Sequence, residues 1–475
     1  MSKPLTPAFE PAGVRLRWLL AATATAAVVA GGSGIVQKVL FSQPSTLKYG
    51  LTVAAPLFLV AVFTAAEPMF VVVPTVVVLG PFAGYSATFA GTNVSFLIPL
   101  LALAVAVAIA TGPRPGRLSS TGLAVVPALL LLAVPFWDGT AHSRYLVVVG
   151  GMIVVGWLAA RAASLPGGLQ VVAWSLVASG TVQAALAIWE FRTGHLLNVY
   201  SSAGNDVFGA DYFFAFGKEN RPTGSLYDPI SLGNILALTC PVALVLVANA
   251  RTTTARTLAF IAALVIGVGL MLSLSRMSWI GALAGAVVAI VLLPSPHRLR
   301  VAVTTLVLAA VAAFLALGFA HGSLNERFSS IFHPTSRGVR TAQGDRQRVE
   351  LWRAGLATAE AHPIAGVGLG KLLPHLSHRV GGVGQQGNAQ STYIQVLGEA
   401  GVAGGLALLL LLSGLGRDLV RGLRRQRVLY AGLAGALAAV LTTWLTDYTV
   451  RYAVVATTFA VLFGAIASRG ARPAA

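Results

Sequence analysis

The chain has 475 residues, of which 56% are hydrophobic and 10% are charged, and its formal net charge is +18. Because a soluble globular protein has about 25% charged residues, this composition argues against a soluble enzyme, and the same apolar excess argues against a disordered chain. A single cysteine, Cys240, excludes a disulfide framework and a thiolate metal cluster. We therefore expect an all-α, polytopic membrane protein whose basic residues meet anionic lipid or an anionic substrate.

Apolar segments of the length that crosses a bilayer recur along the whole chain. They predict a membrane helix bundle with about 12–14 spans, because a span needs about 20 mostly apolar residues. The segments lie at 17–36, 49–66, 69–90, 94–111, 121–137, 144–162, 168–189, 229–250, 256–273, 276–293, 299–320, 395–415, 428–446 and 449–468. The third is interrupted by Pro74 and Pro81, which leaves the number of spans open. The first is too long for the apolar part of a cleaved signal peptide.

Basic residues gather in alternate short connections, and this pattern predicts the orientation because such residues stay on the cytoplasmic side. The densest group of arginines lies at 417–427. Both termini are then expected in the cytoplasm. All acidic residues except Glu10, Glu67 and Asp418 fall on the outer side.

The same pattern divides the chain into five regions. They are N-terminal transmembrane helices at 1–190, a first extracytoplasmic loop at 191–228, central transmembrane helices at 229–320, a large extracytoplasmic loop at 321–394 and C-terminal transmembrane helices at 395–475. The large loop contains more basic than acidic residues. Long loops are exempt from the charge rule, so this excess fits either a solvated loop or a site for an anionic group.

Within the large loop, apolar residues at spacings of three and four predict an amphipathic helix at 346–361. Asp345 is its expected N-cap, and His362 before Pro363 is its expected end. Arg346 and Arg348 would then lie in the first turn, where exposed backbone N–H groups also attract anions. This arrangement predicts a phosphate site at the start of the helix.

Arg276 lies between two apolar runs in a connection too short to be a loop. It is either an arginine at the membrane interface that caps a helical hairpin or an inward-facing cation that binds phosphate. Arg221 lies in the outer loop before Asp228, which is expected to cap a helix that starts at Pro229.

Two acidic residues near the outer ends of spans need an explanation. Glu399 lies inside the start of a span, where a carboxylate is costly unless it is paired or hydrated. It is either a structural partner for an arginine or a proton acceptor. Asp447 and Arg451, at the outer end of the last hairpin, have the simpler expected role of pairing with each other.

Five short motifs follow one another in a characteristic order between about residue 200 and residue 415. In chain order they are Arg221 to Gly224 with Tyr227-Asp228-Pro229, then Ser275-Arg276, then Arg348 to Trp352, then His362-Pro363-Ile364 to Gly370, and then Tyr393 to Gly401. This order resembles the O-antigen ligase/polymerase family. The resemblance implies a GT-C-like, inverting, metal-independent glycosyltransferase in the bacterial cytoplasmic (inner) membrane, with no cofactor.

The resemblance also implies the partners. Such an enzyme moves a glycan from undecaprenyl diphosphate to a sugar or lipid acceptor hydroxyl on the outer face of the membrane, and it contacts membrane lipids. Arg276 and Arg348 would hold the donor diphosphate, because guanidinium groups bind phosphate oxygens in bidentate fashion and stay charged. Arg346, Arg221 and Tyr393 are expected to bind substrate beside them.

At one position the chain departs from the family. Ligases of the family read Ala-His-Asn-x-Tyr at the start of the last motif, whereas this chain has Gln390 in the position of the histidine. A glutamine can hydrogen-bond a sugar hydroxyl but cannot take its proton. This favours a polymerase or another acceptor over a strict lipid A ligase, and loss of activity is a further reading. Glu399, His375 or His378 would replace the missing base.

Three other classes of function account for the sequence less well. A lipid-linked oligosaccharide flippase or other transporter is expected to show internal repeats and ionisable residues in mid-span, and the sequence contains neither. A non-enzymatic membrane scaffold explains the spans but not the ordered arginines. Nucleic-acid binding has no supporting motif, because the cytoplasmic arginines already have a topological role.

Overall fold

The structure is a computed structural model that describes residues 61–468, except for 63–64, 83–85, 90–91, 96, 112–118, 138–141, 196–214, 217–218, 227, 333–338 and 380–387. The predicted span at 17–36 and most of the one at 49–66 lie outside the described residues. The described part consists almost entirely of helices, which confirms the all-α, polytopic bundle.

The first half of the described chain contains six helices. They are α1 (Met69–Leu79), α2 (Leu97–Thr111), α3 (Ser120–Leu131), α4 (Ala133–Trp137), α5 (His142–Ala163) and α6 (Gly168–Thr193). Two antiparallel hairpins of short strands accompany them, one between α1 and α2 and one after α6. One pairs β1 (Ser86–Phe89) with β2 (Thr92–Ser95), and the other pairs β3 (Ala215–Phe216) with β4 (Glu219–Asn220).

The second half contains the central helix and the elements that carry the motifs. They are α7 (Pro229–Asn249), α8 (Thr253–Leu272), α9 (Arg276–Leu292), α10 (Ser295–Phe332), α11 (Val339–Ala361), α12 (Leu372–Arg379), α13 (Thr392–Arg425), α14 (Arg427–Thr443) and α15 (Ala453–Ala467). Helix α10 extends past residue 320, where the sequence predicts that the large loop begins.

Five helices in the described part are long and apolar enough to cross a membrane: α6, α7, α8, the first part of α10, and α13. Seven shorter apolar helices accompany them. The prediction for the third span is wrong, because helix α1 ends at Leu79 rather than near residue 90 and is followed by a 3-10 turn and the β1–β2 hairpin. Pro81 has no N–H to continue the helical hydrogen bonds, which accounts for the early end.

Helix α7 forms the centre of the bundle and is buried almost along its whole length, against α6, α8, α9 and α14. Small residues allow the closest approach between neighbouring helices. Where α9 crosses α14, a Cβ added to Gly285 would lie 2.6 Å from the backbone oxygen of Gly435. The rigid contacts of this core determine where the ends of α7, α8 and α9 lie.

One end of the bundle is rich in arginines that cap helices. Arg427 Nε donates to the Leu292 carbonyl (2.8 Å), and Arg298 Nε donates to the Leu293 carbonyl (2.7 Å). At the same end, the buried Asp418 accepts hydrogen bonds from the backbone N–H groups of Ser120 (3.1 Å) and Thr121 (2.8 Å) at the start of α3. We call this the basic end. The sequence predicts that it faces the cytoplasm.

Candidate functional site

Three arginines from separate parts of the chain lie near one another at the end opposite the basic end. Burial lowers the pKa of Arg221 to about 10; the carboxylates of Asp228 and Asp447 raise it, and the positive charges of Arg276 and Arg348 lower it. Because charge–charge effects fall off with distance, these five groups lie close together. Arg221 is still protonated at neutral pH, so the cluster is cationic. We call Arg221, Arg276 and Arg348 the arginine cluster.

Arg221 also fixes the turn that presents Arg276. Its Nε and Nη2 donate to the carbonyl of Ser273 (3.2 and 2.9 Å), just beyond the end of α8, where the helix dipole favours a cation. Leu274 then has a φ of 53°, a left-handed conformation that allows a three-residue connection to α9. Arg276 is the first residue of α9 and is half-buried.

Arg348 reaches the cluster from α11 and is held by Gln390, the position at which the sequence departs from the family it resembles. Its Nε donates to Gln390 Oε1 (3.0 Å), and Trp352 Nε1 donates to the Gln390 backbone carbonyl (3.3 Å). Gln390 has a φ of 48°, so its backbone is in the left-handed region. The sequence did not suggest this contact, in which Gln390 orients Arg348.

The predicted start of the loop helix is wrong. Helix α11 begins at Val339, so Asp345 lies inside it and is not an N-cap, and no first-turn phosphate site forms at Arg346 and Arg348. Extending an existing helix costs far less free energy than nucleating one. This explains why α11 also includes residues 339–345, before the apolar pattern begins. Arg346 is exposed, whereas Arg348 is half-buried, because residues two apart on a helix point in different directions.

The end of α11 agrees with the prediction. The motif from His362 to Gly370, which we call the glycine motif, follows it and packs against α13. Helix α13 is kinked at Gly401, which has φ 57° and ψ −150°. The kink frees the N–H of Val402 to donate to the Pro363 carbonyl (2.8 Å) and that of Ala403 to donate to the Ile364 carbonyl (3.1 Å). The last two motifs of the sequence therefore form one interlocked unit.

Glu399 supports this unit from within α13. Its side chain is buried, and Oε1 accepts hydrogen bonds from the Gly370 backbone N–H (3.0 Å) and from Gln395 Nε2 (2.8 Å). Gln395 Oε1 in turn accepts from the N–H of Ala389, directly before Gln390. These bonds give Glu399 a structural task in holding both motifs. Its role as a proton acceptor stays a prediction.

The remaining predicted residues lie around this unit. The Tyr393 hydroxyl donates to the Leu441 carbonyl (3.0 Å), and its ring meets Trp444 edge to face. His375 is exposed on α12 and lies edge to face with His362, at 6.0 Å between ring centroids. His378 also lies on α12, but its side chain is outside the described residues. Substrate contacts of Tyr393 and His378 stay predictions.

Glu190, which no sequence motif marks, holds the loop that contains Arg221. Glu190 is 1% exposed near the end of α6, and its carboxylate accepts hydrogen bonds from the backbone N–H groups of Thr223 and Gly224, both at 2.7 Å. Two helical turns earlier on α6, the side chain of Gln183 forms hydrogen bonds with the side chain and the backbone N–H of Ser225 in the same loop. A glutamate at the end of an apolar span was the available signal, since such residues are costly unless they are used.

Replacing Glu190 with alanine should leave two buried N–H donors without an acceptor, at a cost of about 1–3 kcal/mol each. We expect the loop to shift and the KM for the lipid-linked donor that the resemblance implies to rise about tenfold or more, because Arg221 loses its anchor. Glu190→Gln keeps one acceptor oxygen and should lose less. The exposed Thr193→Ala on the same helix is the control. Equal KM values for all three variants would contradict the anchoring role.

Asp447, for which the sequence indicates only a pairing with Arg451, also has contacts with distant parts of the chain. Asp447 lies between α14 and α15, is 5% exposed, and its backbone carbonyl accepts from Thr392 Oγ1 (2.8 Å). Burial raises the pKa of Asp447 to about 7. The positive charges of Arg348 and Arg221 and a hydrogen bond from Asn234 lower this pKa, and the negative charge of Asp228 raises it. The side chain of Arg451, its expected partner, is outside the described residues.

A network of buried, hydrogen-bonded side chains joins the turn before Arg276 to the connection that contains Asp447. Ser278 Oγ lies 2.8 Å from Ser275 Oγ and 3.0 Å from Asn234 Oδ1, and Asn234 Nδ2 donates to Thr449 Oγ1 (3.0 Å). Asn234 is one turn into α7, which begins at the N-cap Asp228, as the sequence predicts. This network of hydrogen bonds therefore fixes the position of Asp447 relative to Arg276.

An apolar helix bundle with a cationic cluster at one end defines the class as a multi-pass membrane protein. Residues 259–409, from α8 into α13, match the protein-family model described as O-antigen ligase. This match confirms the resemblance to the O-antigen ligase family and supports a glycan-transfer function of the ligase/polymerase type. No curated protein matched the chain.

The matched region contains Arg276, Arg348, Gln390 and Glu399. Arg221, Glu190 and Asp447 lie outside it, although the fold places Arg221 and Asp447 beside Arg276 and Arg348. Among the described residues, no group of three or more His, Cys, Asp or Glu side chains is arranged to hold a metal ion.

Proposed function

We propose that the protein is an inverting, metal-independent glycosyltransferase. It moves a glycan from undecaprenyl diphosphate to a sugar or lipid acceptor hydroxyl on the outer face of the bacterial cytoplasmic membrane. The observation that carries this proposal is the arginine cluster, in which Arg221, Arg276 and Arg348 converge from three separate elements. Neighbouring cations repel one another, and a bound diphosphate relieves that repulsion.

The arginines have different tasks in this proposal. Arg276 and Arg348 bind the diphosphate oxygens, since both are half-buried at the same end of the bundle. Arg221 contributes positive charge and braces the turn of Arg276, because two of its N–H groups are taken by the Ser273 carbonyl. As the bond between the sugar and the diphosphate breaks, negative charge grows on the leaving group and the guanidinium groups stabilise it.

Fixed guanidinium groups supply the positive charge that a divalent metal supplies in other sites for phosphate transfer. The acceptor hydroxyl attacks the anomeric carbon from the side opposite the diphosphate, which inverts the configuration at that carbon. The orientation rests on the two ends of the bundle. Arginines such as Arg298 and Arg427 mark the cytoplasmic end, so the arginine cluster and the large loop are on the outer face.

The type of acceptor is suggested by Gln390. A glutamine cannot take a proton from a hydroxyl, and Gln390 already accepts a hydrogen bond from Arg348. This argues for polymerisation of a glycan, or for another acceptor, rather than for a ligase chemistry that relies on a histidine at this position.

Deletion of the protein, followed by transfer in vitro, tests the proposal. The deletion strain should accumulate a glycan on its lipid carrier. That extract, supplied to the purified protein in liposomes with EDTA, should give a longer or transferred glycan and free undecaprenyl diphosphate. Shortened surface chains in the deletion strain identify a polymerase, and full-length glycan left on the carrier identifies a ligase. Unchanged surface glycans and no transfer in vitro would refute the proposal.

A further inference from the structure

The connection between α14 and α15 has an unusual number of buried polar atoms without partners. In the described part of the chain five such side-chain atoms occur, and three of them lie in residues 444–447. They are Trp444 Nε1, Thr446 Oγ1 and Asp447 Oδ2. Buried polar atoms are nearly always hydrogen-bonded, and leaving one unpaired costs about 1–3 kcal/mol. Three unpaired atoms so close together, at the end of the bundle that carries the arginine cluster, indicate that a ligand supplies the missing hydrogen bonds.

We infer that Asp447 is the proton acceptor for the acceptor hydroxyl, in the place of the histidine that the chain lacks at position 390. This inference rests on the proposed function. Asp447 Oδ2 needs a hydrogen-bond donor, and a sugar hydroxyl supplies one. The proton passes from that hydroxyl to Oδ2 while the hydroxyl oxygen bonds to the anomeric carbon. At the same time the bond from that carbon to the diphosphate breaks, and undecaprenyl diphosphate leaves on the arginine cluster.

The geometry places Asp447 where this step occurs. Its backbone carbonyl is bound by both the N–H (3.1 Å) and the hydroxyl (2.8 Å) of Thr392, two residues beyond Gln390. Asn234 holds the side chain through a hydrogen bond, and the charge of Arg348 acts on it. Asp447 is therefore anchored beside the arginine that holds the diphosphate, and one of its oxygens is left for a substrate.

The electrostatic surroundings suit a base. The charged and hydrogen-bonding groups that face Asp447 are Arg348 on α11, Arg221 in the loop before α7, and Asp228 and Asn234 at the start of α7. Burial outweighs the two arginines and raises the pKa of Asp447 to about 7. A general base works best when its pKa lies near the operating pH. An ordinary surface aspartate, with a pKa of about 4, would be a far weaker base.

The alternative is that Asp447 only neutralises part of the arginine cluster. The two roles differ in what they control. A counter-ion controls how tightly the arginines bind the diphosphate, so its loss should tighten donor binding and leave turnover largely intact. A base controls turnover and the pH at which turnover begins.

Asp447→Asn in the full-length protein distinguishes the two roles, because the amide keeps the shape and cannot accept a proton. We expect kcat for transfer from the extracted lipid-linked glycan to fall about 100- to 10,000-fold. Binding of undecaprenyl diphosphate alone should be unchanged or tighter. Wild-type kcat/KM should fall about tenfold per pH unit below pH 7, and the residual activity of Asp447→Asn should lack this acid limb. Asp447→Glu should restore part of the turnover.

Asp418→Asn is the matched control, because Asp418 is also a buried aspartate but lies at the basic end, where it caps α3. It should keep the wild-type turnover and pH profile. Turnover of Asp447→Asn within fivefold of wild type, or an unchanged acid limb, would overturn the inference alone. A wild-type protein that transfers no glycan would overturn the proposed function and this inference with it.

Discussion

Alanine at Arg276 or at Arg348 should abolish polymer formation in cells and leave the protein expressed in the membrane. Both guanidinium groups lie close enough to Arg221 to lower its pKa. Each alanine substitution therefore removes one positive charge from the same cluster. Removing one preorganised group that stabilises a growing negative charge costs about 100- to 1,000-fold in kcat. Lysine at either position should restore less than half of the lost activity, because an ammonium group cannot bind two phosphate oxygens as a fork. Glycan length on cells and initial rates in liposomes measure the effect.

Arg346→Ala is the control that the structure offers. Arg346 lies on the same helix as Arg348 but is exposed, so its loss should change the transfer rate by less than about twofold. Normal polymer in both Arg276→Ala and Arg348→Ala would refute the diphosphate site. Equal losses for Arg346→Ala and Arg348→Ala would instead point to a general effect of loop charge.

Gln390→Ala should give an intermediate result in the same assay. It removes the oxygen that accepts from Arg348 Nε, so Arg348 becomes less well oriented but keeps its charge. We expect a loss of about tenfold, seen mainly in the KM for the donor, because misplacing a binding group weakens its contacts without removing them. A complete loss equal to that of Arg348→Ala would show that Gln390 itself takes part in the reaction.

Gly401→Ala should have the second large effect, through the fold of the site rather than its charge. Gly401 has φ 57° and ψ −150°, a region that is nearly restricted to glycine and costs another residue about 1–3 kcal/mol. A Cβ there would also lie 2.6 Å from the backbone oxygens of Pro363 and Ile364. The glycine motif would have to separate from α13. We expect a lower midpoint of thermal unfolding and at least a tenfold loss of transfer.

Gly416→Ala on the same helix is the matched control. A Cβ at Gly416 has no neighbouring atom within 4 Å, and its backbone is helical, so alanine should be neutral or stabilise by about 0.5–1 kcal/mol. Thermal unfolding in detergent and the transfer assay, run on both variants, separate the two effects. A Gly401→Ala protein with wild-type stability and rate would show that the kink is not needed.

Much of the fold follows from local patterns that the sequence contains. The spans can be predicted from the sequence because a bilayer-crossing helix needs a long apolar segment. Within the bilayer, each backbone N–H and C=O must form its hydrogen bond inside the same helix. The cap at Asp228 and the end of α11 before Pro363 are also local, since they depend on one or two residues. Ordered motifs marked Arg276 and Arg348, although nothing local shows that they meet.

The errors arise where local signals are weak. Helix α11 starts at Val339 rather than at Arg346 because a growing helix passes through residues that would not start one. The third span ends early because Pro81 and the β1–β2 hairpin follow apolar residues that resemble a longer helix. Apolar composition alone does not separate these cases.

From the order of the residues alone follow the membrane bundle, the candidate arginines and the missing histidine. Which groups act on one another depends instead on how the helices pack. Glu190 bonds to Gly224, 34 residues along the chain, Arg348 bonds to Gln390, 42 residues away, and Thr392 bonds to Asp447, 55 residues away. Such contacts have no period or motif, because they form only when helices far apart in the chain pack together. The charge, burial and unpaired oxygen of Asp447 arise from that packing.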